Sequence, residues 1–264
     1  MSAEDRLLAI RDEIAPRAPG MIVTIYGDLV MPNGGVLGMS ALIGLCSKLG
    51  FSETLVRTAV SRLVAAGRLQ GVRQGRKSYY RLTAAAEEEF MAVACQLHGP
   101  MEPPSGWAIH MAPSLPEPIA RENHFSRLSG DLFLSPDRGH FPKDVELSFT
   151  VGAISDTTQL PALARSLWPV DELADGYAAM INRFLPLRDR AASLPAEEAL
   201  LARLLLVHAY RTLLLRDPQL PADGLPSDWP GGEARGLFEE MHSHLSTAAK
   251  PAVKLCFSDV AEPA

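Results

Sequence analysis

Apolar and polar positions change period several times in the first hundred residues, and each change predicts an element. Met21 to Val30 is an apolar run with Asp28 inside it and predicts a first helix, broken by Pro32-Asn33-Gly34-Gly35. Val36 and Leu37 predict a short strand, and Ser40 begins a second helix over Ala41 to Leu49 with Leu42, Ile43, Leu45 and Leu49 as its apolar positions. Gly50 ends it. Ser52 can cap a third helix through its hydroxyl, and Glu53 in the first turn suits the positive helix end. Val56, Val60, Leu63 and Val64 recur at i, i+4, i+7 and i+8 as one apolar face, with Arg57, Thr58, Ser61 and Arg62 largely on other faces. Gly67 can close this helix in a left-handed turn. Leu69 to Gln74 and Ser78 to Leu82 read as two strands around a Gly75-Arg76-Lys77 hairpin tip, and Thr83 can cap a further helix, Ala84 to His98.

After this the pattern shortens. Residues 99–106 are rich in Pro and Gly and predict a stiff linker. Trp107 to Met111 reads as a strand, Ile119 to Leu128 as a helix, Asp131 to Ser135 as a strand and Val145 to Ile154 as a longer strand. A small α+β domain over 107–158, ferredoxin-like in kind, fits this order. From Gln159 the chain turns helical, with a break at Trp168-Pro169 and a second short helix carrying Leu173, Tyr177, Met180, Ile181 and Phe184. Glu197 to Arg216 is the most apolar helix. Asp217 to Gly231 holds four prolines, which disfavour regular structure, and Glu233 to Leu245 is an amphipathic helix with Leu237, Phe238, Met241 and Leu245 inward. The expected fold is multidomain α+β: an N-terminal module with its linker helix over 1–98, the linker 99–106, the α+β domain 107–158 and a helical domain 159–264.

Charge sharpens the first of these. The net charge of the 264 residues is -6, yet Gly20 to Leu82 holds eight Lys and Arg against Asp28 and Glu53, while everything from Thr83 onward nets -11. A basic segment on an acidic chain is the footprint of one module that touches phosphates. A polar, basic helix followed by a basic hairpin is the pattern of a winged helix-turn-helix, whose helix enters the major groove while the hairpin meets the backbone. Arg57, Thr58, Ser61 and Arg62 are the candidate base readers, since Arg pairs with guanine O6 and N7 and hydroxyls adapt to either base edge. Arg62 borders the apolar face, so a flanking contact is equally open to it. Arg73, Arg76, Lys77 and Arg81 are candidate phosphate contacts, and of Tyr79 and Tyr80, which alternate in a strand, one is expected to pack inward.

Other features narrow the class. No run approaches about 18 uninterrupted apolar residues, so a membrane span is not expected. The N-terminus is charged throughout and has no signal-peptide pattern. Cys46, Cys95 and Cys256 are widely spaced; they suggest no metal site or disulfide framework, read as small buried hydrophobes, and fit a reducing cytoplasm.

The segments IVTIYGDLVMPNGG and LVRTAVSRLVAAGRLQGVRQGRKSYYRLT, with RLLLVHAYRTLLLRDPQLPADGLPSDWPG near the C-terminus, resemble the PaaX family, repressors of phenylacetate degradation operons. The resemblance covers nearly the whole chain. GDLFLSPDRG in the middle resembles that family's small domain, which is similar in fold to Cas2. The resemblance implies a homodimeric repressor of double-stranded operator DNA, released by an aryl-acetyl-CoA such as phenylacetyl-CoA, with no cofactor. A CoA thioester needs cations for its phosphates and an apolar slot for its acyl group. Arg203, His208, Tyr210 and Arg211, the polar positions on the apolar C-terminal helix, are the candidates for it. The alternative use of these groups is to anchor that helix by hydrogen bonds and an ion pair to Asp217. A regulator with a different acyl-CoA effector is one further alternative. A metal-dependent nuclease is another, in which Asp131 and Asp137 would hold the ion. No acid-plus-His constellation, glycine-rich nucleotide loop, nucleophile elbow or HExxH accompanies those acids, so no catalytic or metal residue is expected.

Overall fold

The computed structural model describes residues 3–74, 77–139 and 145–258, apart from the side chains of 73, 74 and 121. The chain opens with α1 (Ala3–Ile14), which the pattern above did not predict, and α2 (Ala18–Ile25). α2 runs on through a π-helical turn, Tyr26–Val30, and a 3-10 turn, Met31–Asn33. Then come β1 (Val36–Gly38), α3 (Met39–Lys48), α4 (Glu53–Ala65), β2 (Leu69–Gln74), β3 (Lys77–Leu82) and α5 (Ala84–His98). β4 (Gly106–Met111), α6 (Glu117–Glu122), β5 (Ser126–Ser129), β6 (Leu132–Asp137) and β7 (Leu147–Thr150) follow. The remainder is helical: α7 (Leu160–Leu167), α8 (Val170–Phe184), a 3-10 stretch Leu185–Ser193, α9 (Ala196–Leu214), α10 (Gly231–Ala248) and α11 (Lys250–Cys256).

The described residues group into two compact units, one from Met1–Pro100, Ala179–Thr212 and Glu233–Ala264, the other from Met101–Ala178 and Leu213–Gly232. This grouping distributes the segment 159–264 over both units and places one boundary within the expected linker.

In the first unit, local chemistry sets the helix ends. The Ser52 hydroxyl accepts from Leu55 N at 3.3 Å, and that of Thr83 accepts from Ala86 N at 3.3 Å while donating to Gly67 O at 2.7 Å. Gly67 takes φ +68, the left-handed conformation that lets α4 turn into β2. β1, β3 and β2 form an antiparallel sheet with β3 central, pairing Leu37 with Tyr80 and Gln70 with Arg81. α2 and α3 pack on α4. The buried face of α4 is Val56, Ala59 and Val60. Val64, expected inward, is 39% exposed, because the 3.6-residue period carries it past the edge of that face. Tyr79 packs inward, and the Tyr26 hydroxyl donates to Tyr80 O at 3.2 Å, fastening α2 to the sheet. Cys46 is buried, but Cys95 is exposed on α5 and so is not the buried hydrophobe expected of it.

The second unit holds a four-stranded antiparallel sheet in the order β5-β6-β4-β7. Two apolar clusters serve it, one around Trp107, Leu134, Trp168 and Leu220 and one around Leu115, Ala120 and Phe133. The expected helix Ile119 to Leu128 is corrected: α6 ends at Glu122, His124 takes φ +56, and Ser126–Ser129 is a strand paired with β6. A left-handed residue cannot continue a right-handed helix, and the open edge of β6 supplies hydrogen bonds that residues 126–129 take instead. The prolines of Asp217 to Gly231 leave a loop with one 3-10 turn, Ala222–Gly224. That loop is held where the Trp107 indole N–H donates to Asp223 Oδ1 at 3.1 Å and Gly224 lies against the ring, where a Cβ would come within 2.5 Å of it.

Candidate nucleic-acid interface

α4 is amphipathic in the useful direction. Its apolar stripe is fixed against α2 and α3, so Arg57, Thr58, Ser61 and Arg62 stand together on the exposed side, at i, i+1, i+4 and i+5. The Arg57 guanidinium is held by Glu53 one turn earlier, Nε to Oε1 at 2.8 Å, with both side chains more than half exposed. An exposed pair of this kind contributes little, so Arg57 can leave Glu53 for a better acceptor at small cost. The Thr58 hydroxyl donates to Thr54 O at 2.8 Å, which orients it and leaves its lone pairs outward. Leu55, 46% exposed, shares the face of Thr58 and Arg62 by its spacing; sequence reasoning missed it, although a leucine off the apolar stripe was the available signal.

β3 carries Lys77 and Arg81, both exposed, with Arg81 opposite Gln70. Arg76 and the Arg73 side chain lie outside the described residues. A cavity of about 620 Å³ joins the two elements: it is lined by Glu53 and Arg57 of α4, Lys77 to Tyr79 of β3, the start of α3, and Leu255, Cys256 and Ser258 at the C-terminal end. That last contribution had no sequence signal.

The four C-terminal candidates diverge. Arg203 turns into a buried ion pair, its Nε 2.9 Å from Asp28 Oδ2 and its Nη2 donating to Asp28 Oδ1 and to Asp28 O at 2.9 Å. His208 meets Thr24, Nδ1 to Oγ1 at 2.9 Å, and burial, then the charge of Arg211, push its imidazole down to about 4. Tyr210 is buried and stacks on Phe238 at 4.3 Å between centroids. Arg211 is partly buried and has no hydrogen-bond or ion-pair partner among the described residues; burial lowers its pKa. Asp217 accepts from the Tyr177 hydroxyl at 2.8 Å and from Gln219 N at 2.7 Å.

Around Asp28 a polar hub assembles that no local pattern announced. His242 Nε2 lies 3.1 Å from Asp28 Oδ1, and the ring of His98, the last residue of α5, stacks on Phe238 and sits 4.7 Å from that of His242. Burial alone would raise the Asp28 carboxyl, but the His242 hydrogen bond and the Arg203 charge outweigh it and hold it below the usual range. The donor atoms of Asp28, His98 and His242 lie within 4.8 Å of one another, close enough to share an ion. The Arg203 guanidinium on both carboxylate oxygens opposes a cation there. Beside the hub the buried Arg235 donates to Gln96 O at 3.0 Å and Gly99 O at 2.6 Å, closing the carbonyl end of α5. Asp131 and Asp137 form no acid pair: Asp137 is buried and accepts from Gly139 N at 2.9 Å, while Asp131 is exposed. No helix among the described residues is long and apolar enough to cross a membrane.

Two family models match, that of the PaaX-like protein over residues 17–86 and that of the PaaX-like protein C-terminal domain over residues 168–254. The transcriptional repressor PaaX of Escherichia coli is 28% identical over 256 residues, covering 87% of this chain and 80% of its own. An uncharacterised protein of Mycobacterium tuberculosis shares the fold, with TM-score 0.53 and 21% identity over 87% of this chain and 97% of its own. Matched at both ends by models of one family, and aligned through most of its length with a member of it, this chain belongs to the PaaX-like family.

Proposed function

We propose that this chain is a DNA-binding transcriptional regulator and not an enzyme: a repressor of a phenylacetate or related aromatic catabolic operon. The observation that carries the reading is the exposed stripe Arg57, Thr58, Ser61 and Arg62 on a helix whose other face is fixed, beside a hairpin bearing Lys77 and Arg81. The order α2, β1, α3, α4, β2, β3 supports a winged helix-turn-helix, in which α4 enters the major groove and the hairpin meets the phosphates. The sheet order of the second unit supports its ferredoxin-like, Cas2-like assignment. The name of the Escherichia coli relative supports repression, and the family resemblance supports a homodimer released by phenylacetyl-CoA or another aryl-acetyl-CoA.

The test is a titration of labelled duplex, carrying the DNA upstream of this gene, at several salt concentrations. A regulator contacting about six to ten phosphates loses roughly 10³–10⁵ in affinity between about 50 and 200 mM salt. Binding that is absent, or indifferent to salt, rejects the reading.

A further inference from the structure

The short helix α11 faces two cavities. Leu255, Cys256 and Ser258, toward its end, line the groove that holds Arg57 and Lys77. Lys250, Lys254, Val253 and Phe257 line a second cavity of about 540 Å³ together with Arg203 and Ser246. Three features of this second cavity point to a ligand. Among the described residues its charged lining is wholly cationic, on a chain whose net charge is -6. Lys250 and Lys254 stand at i and i+4 with no ion-pair partner among the described residues, an arrangement in which like charges repel. The Ser246 hydroxyl is buried and has no hydrogen-bond partner among the described residues. Buried polar groups are ordinarily satisfied, so a donor left over beside cations that have no partner among the described residues suits a ligand that brings acceptors. Arg203 is already held rigid by Asp28, so it loses little freedom on adding an anion at the cavity. Phe257 and Val253 give an apolar wall.

We propose that this cavity binds a phosphate-bearing ligand with an apolar portion, and that α11 transmits its occupancy to the groove beside Arg57 and Lys77. The site stands on its lining; the consequence at DNA rests on the repressor reading. A CoA thioester and free phosphate share the recognised chemistry. Isothermal titration of phenylacetyl-CoA, free CoA, phenylacetate and inorganic phosphate into the full chain without DNA separates them.

Lys250→Gln with Lys254→Gln, two exposed changes, is expected to weaken CoA or its thioester by about tenfold or more, and Ser246→Ala by a smaller factor. Phenylacetate, lacking phosphate, is expected not to respond to the lysine changes. Unchanged affinity in the double variant overturns the proposal, as does failure of every phosphate-bearing compound to bind wild type. A double variant that keeps CoA affinity but loses duplex affinity makes the lysines DNA contacts and also overturns it. Ligand binding that depends on the lysines, in a protein with no salt-dependent DNA binding, upholds the site and rejects the repressor reading.

Discussion

Single side chains in this protein answer to pH in separable windows. His208 is neutral in the folded state because burial, then Arg211, push it down to about 4, whereas an exposed imidazole titrates near 6.5. The unfolded chain therefore takes up the proton first. Stability from His208 is complete above about pH 6.5 and is lost as pH falls toward 4, amounting to roughly 2 kcal/mol at about pH 5. His208→Gln, which can still bond Thr24 but does not titrate, is expected to flatten the stability profile between about pH 5 and 7 in chemical denaturation; an unchanged slope counts against this assignment. Asp28 acts lower, since its folded carboxyl is held below the usual range: its contribution is present above the ordinary carboxylate pKa and goes as pH falls through the folded value. If the exposed side of α4 reads bases as proposed, Arg57→Ala and Ser61→Ala are expected to cost about 1–3 kcal/mol for the preferred sequence and little for random duplex. Lys77→Ala is expected to weaken both alike, because phosphates carry no sequence. Specific and random duplexes compared at one salt concentration decide the point.

Terminal contacts set where several elements begin and end, while packing of their apolar faces holds them. Thr83 closes two of them at once, accepting from Ala86 N at the start of α5 and donating to Gly67 O at the end of α4. Thr83→Val keeps the shape and loses both bonds, so a loss of about 1–2 kcal/mol is expected in thermal or urea unfolding. A loss near zero would mean that solvent replaces both bonds freely. The Ser52 cap has the same chemistry at the other end of α4, where the positive end of the helix also suits Glu53. The Arg235 contacts show the complementary device, a buried cation on the carbonyl end of α5.

At the scale of the molecule, the basic stretch from Gly20 to Leu82 against a net -11 from Thr83 onward is the charge division that a repressor touching phosphates with one module would need. On the proposed function, one helix with four candidate base-reading side chains is too little for genome-level specificity, and two related by a two-fold axis supply it. The protein is therefore expected to be a dimer in light scattering at micromolar concentration and to protect an inverted repeat. A monomer binding one per operator rejects that expectation. If a ligand releases the protein, it must prefer one arrangement over another, and a coupling of about 1–3 kcal/mol shifts affinity by roughly 5–150-fold.

Much of the first unit was legible in the sequence because its signals are local. Ser52 and Thr83 each cap a helix three residues on, Gly67 closes one, and the alternation through Tyr79 and Tyr80 required one ring to face inward, while the packed sheet decided that it is Tyr79. The exposed stripe of α4 followed from helical period alone. Where two folds of a segment were nearly equal locally, tertiary pairing decided: the expected helix ran from Ile119 to Leu128, but the edge of β6 satisfies the backbone of 126–129 and His124 breaks the helix. The hub of Asp28, His98, Arg203 and His242 draws on four distant stretches, each reading separately as a lone charge or an imidazole on an apolar face, so only the packed chain could join them. α11 is the clearest case. Seven residues with no strong period predict nothing alone, and their place between the cationic cavity and the cavity beside Arg57 and Lys77 exists only because the rest of the first unit surrounds them.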